Sequence, residues 1–233
     1  MLRELLAIFR SDEPLHKMGE NFAEMLKLTY QMTVKAGDLY FAESVKPDEQ
    51  TKIYKTDVGV NRLERTIRKQ VIAHLSLRGT SASLPYCLLL MSLVKDVERI
   101  GDYAKNLAEV KEYHPEALPD DDTLAQLREI RVGVETAFAE TSEVFATSDR
   151  DRALALTREG RELTHRCDAL IEQVARSDYN ARTAVAMALG ARFYKRTAAH
   201  VLNVLSSVVM PLHKLDYYDE KEIDTAASED EGA

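Results

Sequence analysis

What most constrains this chain is where its helix-breaking residues fall. Patterns of helical period run for about thirty residues at a time and stop only at short polar or proline-bearing breaks. The first long pattern runs from about Leu15 to Val45 and stops near Pro47. The second runs from about Asp48, a residue able to cap a helix, to Leu77, and ends at RGTSASLP. The third opens near Pro85, which suits a first-turn position, and continues to about Tyr113 before HPEALPDDD. Three more follow at about Thr123–Ala146, Asp149–Arg176 and Tyr179–Leu215, separated only by TSD and SDY. No stretch alternates with period two between turn signals, so no sheet is expected. Three helices, a proline-bearing connector and three more predict an all-α fold of two tandem three-helix bundles. A short amphipathic helix carrying Leu2, Leu5, Leu6 and Phe9 precedes them. The expected domains are 1–116 (the short helix and the first repeat), 117–217 (the second repeat) and 218–233, an acidic disordered tail.

Charge distribution narrows the function classes. The net charge is −8, but the stretch DEKEIDTAASEDEGA alone sets seven acids against Lys221, which leaves the rest of the chain near neutral. A near-neutral body with an acidic tail has no electrostatic footprint for DNA or RNA, so nucleic acid is rejected as the main partner. Cys87 and Cys167 make no disulfide framework and read as buried thiols in a reducing compartment. No apolar run is long enough to span a membrane and the start lacks a signal-peptide core, so the expected location is the cytoplasm. Any membrane association would be peripheral, through a partner.

Acids placed on an inner stripe are the chemical feature. With Ile53 at zero and about 100° per residue, Val60, Ile67 and Val71 fall on one face, and Asp57 and Glu64 fall on it too. Asn61 lies beside them. On the next helix, Leu90, Val94, Val97, Gly101, Ala104 and Ala108 form the inner stripe, with Glu98 at its border and Asp102 farther round. Antiparallel pairing of the two helices brings Asp57 and Asn61 toward Glu98 and Asp102, a set of three carboxylates and an amide with hard oxygen donors. Buried acids need a partner, and the alternative to a metal is pairing with Arg62, Arg65, Arg68, Lys95 or Arg99.

The segment Asp96–Glu109, DVERIGDYAKNLAE, closely resembles the signature helix of PhoU proteins, regulators of phosphate uptake. Glu98, Arg99, Ile100, Gly101, Asp102, Ala104 and Asn106 match that signature, while Val97 and Tyr103 stand where Leu and His are usual. The upstream DVGVNRLERTIRK looks like the acidic helix that precedes it. The resemblance implies a fold of two three-helix repeats. It also implies a divalent or iron-containing metal site on the first repeat at Asp57, Asn61, Glu98 and Asp102, with Asn61 replacing an acid. The second repeat departs: Lys195 and Ala199 stand at the acid positions of YKRTAAHVLN, facing Thr164 and Asp168. No metal is expected there, and a Lys195–Asp168 ion pair would supply the positive charge instead.

The function implied by this likeness is non-catalytic. PhoU-like proteins restrain uptake and signalling through contacts with a phosphate transporter, a sensor histidine kinase, or both, and they often self-associate. A metal-free helical adaptor for another transporter is the alternative. A di-metal carboxylate enzyme is a third class, but only Glu162-x-x-His165 fits its pattern, in the half that lost its acids. No catalytic residues and no glycine-rich phosphate loop are assigned.

Overall fold

The computed structural model describes residues 13–44, 47–78 and 81–215. Within them, six long helices carry the fold and no strand occurs. Helix α1 spans Glu13–Tyr40, α2 Pro47–Arg78, α3 Leu84–Tyr113, α4 Asp122–Thr147, α5 Arg150–Ala175 and α6 Ala181–Val209. The short helix expected around residues 2–9 and the acidic tail at 218–233 lie outside the described residues.

The helix starts follow from local chemistry. The Asp121 carboxylate accepts a hydrogen bond from the Leu124 amide at 2.9 Å, Asp149 accepts from Arg152 at 3.0 Å, and Asn180 accepts from Thr183 at 3.0 Å. Each satisfies an amide that a helix start would otherwise leave orphaned. Pro85 sits in the first turn of α3, as expected. Helix α2 differs, because it begins at Pro47 and draws Asp48 and Glu49 inside its first turn. There they face the positive end of the helix dipole rather than capping it. Helix α1 ends at Tyr40, short of the expected Val45. Helix α6 ends at Val209, because Pro211 turns the preceding Met210 into an extended conformation.

The helices fall into two groups of three that share one core. Helix α1 lies on α2 and α3, and α6 lies on α4 and α5; the groups join where α3 runs along α6 and α1 touches α4. Helices α3 and α6 cross antiparallel, which two reciprocal contacts define. Asp96 accepts hydrogen bonds from His200 Nδ1 and Asn203 Nδ2, both at 2.7 Å, while Tyr103 stacks on His200 and Phe193. Phe22 against Phe145 and Tyr30 edge-on to Phe138 fill the α1–α4 contact.

A second reciprocal pair joins α1 to α6. The Tyr40 hydroxyl lies directly over Gly190 and donates to the Ala186 carbonyl at 2.9 Å. The Tyr194 hydroxyl lies over Gly37, beside the Arg131 guanidinium. Both tyrosines are fully buried, so each glycine makes room for a fixed ring from the other repeat. At both crossings a side chain occupies the space that a Cβ would need. At Gly101, on the inner stripe of α3, an added Cβ would meet Asp57, Met32 and Thr29 only at 3.6 Å, an ordinary contact.

Candidate functional site

The inner stripes form as the periodicity predicts. Ile53, Val60, Ile67 and Val71 of α2 are buried, and so are Leu90, Val94, Val97, Gly101, Ala104 and Ala108 of α3. Asp57 is carried into the same layer and is 8% exposed. It is a carboxylate held in the core side of a two-helix contact, and it needs compensation.

Lys105 supplies that compensation. Its ammonium reaches across from α3 to donate to Asp57 Oδ2 at 3.0 Å, and it pairs with Asp102 Oδ1, one turn back on its own helix, at 2.9 Å. Asn61 Nδ2 donates to the same Asp57 Oδ2 at 3.0 Å. Burial pulls the Lys105 pKa down, but hydrogen bonds to Asp102 and Asp57 outweigh it and the net direction is upward, so the lysine stays charged. Arg99 Nη1 lies 3.6 Å from the other Asp102 oxygen.

Asp57, Asn61 and Asp102 are thus brought together as the sequence implied, around a side chain that the sequence reading had not named. Glu98 does not join them. It stands 4.0 Å from Arg99 Nε, near Glu64, which is itself engaged by Arg68 at 2.6 Å. Burial raises the Glu98 pKa, and the neighbouring Asp102 and Glu64 charges raise it further against Arg99 and Lys95. The four residues as arranged do not fit a metal. An ammonium already fills the space between two of the carboxylates, and the Asn61 amide points its donor, not its oxygen, at Asp57. Among the described residues no group of three or more His, Cys, Asp or Glu side chains is placed to hold one.

The raised Glu98 pKa has a consequence for stability. Because the folded state holds this proton more tightly than the unfolded chain, stability falls as pH rises from the unfolded carboxylate range through the folded pKa. At neutral pH, Glu98→Gln is therefore expected to melt at or above the wild-type temperature. The difference should vanish once pH drops below the ordinary carboxylate pKa. A variant that melts well below wild type at pH 7 would show Glu98 to be a favourable anion instead.

In the second repeat, Lys195 Nζ donates to Asp168 at 2.6 and 2.5 Å, the ion pair expected from the sequence, again linking the second helix of a repeat to the third. Glu162 and His165 are both exposed on α5, so this pair does not project into the bundle as di-metal chemistry requires. Cys87 and Cys167 are buried and form no disulfide, and burial with the nearby Asp168 pushes the Cys167 thiol up to about 12, away from thiolate chemistry. None of the described helices is long and apolar enough to cross a membrane.

The comparisons with known proteins bear on the same two helices. A family model for the PhoU domain matches residues 15–110, the span of α1 to α3 that holds the Asp57–Lys105–Asp102 cluster. The fold extends the match. A crystal structure of PhoU from Pseudomonas aeruginosa superposes with a TM-score of 0.76, at 19% identity, over 84% of this chain and 95% of that one. The phosphate transport system regulatory protein PhoU from Streptococcus pneumoniae superposes with a TM-score of 0.74, at 16% identity, over 88% and 95%. The PhoU domain match covers less than half of the chain, and beyond it the likeness is one of fold. A curated relative, a phosphate-specific transport system accessory protein PhoU homolog from Synechocystis sp., is 28% identical over 105 residues. That alignment covers 45% of this chain and 43% of the relative, so it reaches less than half of each. In PhoU terms, the matched part is the first repeat, and the second is similar in fold.

Proposed function

We propose that this protein is a cytoplasmic accessory regulator of phosphate uptake that acts by docking rather than by catalysis. Its partners are a component of a phosphate transporter, a phosphate-sensing histidine kinase, or both, and its effect is to restrain uptake and signalling when phosphate is plentiful. The observation that carries this reading is the PhoU domain match across α1–α3, supported by similarity of fold to two PhoU structures over 84% and 88% of the chain.

Docking needs a surface, and α2 offers one. Lys55, Val58, Arg62, Arg65, Lys69 and Ile72 recur at three- and four-residue steps and are all exposed, forming one stripe about 25 Å long. No acidic residue shares the stripe. Among the described residues, helix α2 packs mainly on α1 and α3, and the stripe faces away from both. The charge near neutrality of the body thus conceals a concentrated basic face. Four cations with Val58 and Ile72 set among them fit an acidic partner surface that also offers apolar contacts.

The regulatory direction is tested by phosphate uptake in phosphate-replete cells. Cells lacking the protein should take up phosphate faster than the parent, and the reintroduced wild-type chain should restore restraint. Uptake that is unchanged by the loss would remove the proposed role.

A further inference from the structure

We propose that lysines hold the cation positions of both repeats in this chain, so that the protein binds no metal at its signature helices and is stabilised there by its own ammonium groups. In the first repeat the group is Lys105, bridging Asp57 of α2 and Asp102 of α3 at 3.0 and 2.9 Å. In the second it is Lys195 of α6, on Asp168 of α5 at 2.5 Å. The two pairs are not copies of one residue position. Lys105 lies seven residues beyond Glu98, whereas Lys195 stands at the position equivalent to Glu98 itself. Yet each does the same thing, tying the second helix of its repeat to the third through an aspartate. Two unrelated solutions to one electrostatic demand indicate that a positive charge between these helices is what the fold requires.

The local charges support an internal cation. Around Asp57 and Asp102 stand Lys105 and Arg99, with Asn61 donating to the same Asp57 oxygen as the lysine. A divalent ion entering this space would have to expel Lys105 from two carboxylates and turn the Asn61 amide around. With one donor oxygen short of an all-acid set, it has too few hard ligands to offset that loss. Removing the ammonium reverses the balance: Asp57 then keeps only the Asn61 amide and Asp102 only Arg99 at 3.6 Å, and a divalent ion is the obvious replacement between them. This inference does not depend on the phosphate role and would survive its failure.

The experiment compares wild type, Lys105→Gln, Lys105→Arg and the double variant Lys105→Gln with Asp57→Asn. Each is purified and its melting temperature measured in chelator and in excess manganese, with metal content determined after dialysis. Wild type and Lys105→Arg should melt at the same temperature in both conditions and retain no metal. Lys105→Gln should melt lower in chelator and recover by roughly 5–10 °C when manganese is about a hundredfold above its Kd. The double variant, which removes charge from both sides, should lose that response and regain part of the stability. Stoichiometric metal retained by the wild type after dialysis would overturn the proposal. So would a Lys105→Gln protein as stable in chelator as wild type, or one that gains no response to manganese.

Discussion

Gly190→Leu is expected to destabilise the protein by about 3 kcal/mol or more, because there is no space at this crossing for a side chain. A Cβ at residue 190 would overlap the hydroxyl and ring of Tyr40, which is buried and fixed by its hydrogen bond to the Ala186 carbonyl. Tyr40 can yield only by giving up that bond, and an unpaired buried hydroxyl costs a further 1–3 kcal/mol or so. Replacing a helical glycine returns roughly 0.5–1 kcal/mol, too little to offset the overlap. The damage falls on the contact between the two repeats, not within either one. Urea unfolding should show a lowered midpoint, and Tyr40→Phe should be less harmful in the Gly190→Ala background than in wild type. A change within about 0.5 kcal/mol for Gly190→Leu would mean that the repeats do not meet as described.

Reversing the basic stripe of α2 has the largest expected effect on function. Lys55→Glu, Arg62→Glu, Arg65→Glu and Lys69→Glu together change a face of charge +4 into one of −4. All four side chains are exposed, so the fold should persist, with helical content and melting behaviour close to wild type. Partner association should fall by at least about tenfold, since like charges brought together across an interface cost several kcal/mol. Wild-type association should also weaken as salt rises, because exposed charges are screened beyond about 10 Å at 0.1 M. Ile72→Ser should weaken association without changing that salt dependence. Unaltered association after reversal would move the docking surface off α2.

How much of this was legible in the sequence differs between fold and site. The six helices and their breaks follow from periodicity, prolines and capping residues, all local signals. Boundaries slipped where a local signal was ambiguous, as at Asp48, which a proline one residue earlier draws into the helix. The buried place of Asp57 was legible because its position on the stripe depends only on helical geometry. Lys105 was not, because its role depends on a long side chain reaching from the flank of α3 to another helix. The spacing Asp102–Lys105 was the available signal, one of many i,i+3 pairs on any charged helix. Asp96 with His200 and Asn203, and Tyr40 with Gly190, were beyond reach for a different reason. They exist only once the two repeats are docked, and no single-helix pattern encodes that register.

The most direct measurement of the docking role is affinity capture from phosphate-replete and phosphate-starved cells, with the wild-type chain and the α2 charge-reversed variant as parallel baits. The expected result is recovery of a phosphate transporter component or a sensor histidine kinase by wild type in replete cells, and its loss with the variant. If wild type recovers neither class under either condition, the protein does not regulate phosphate uptake by docking.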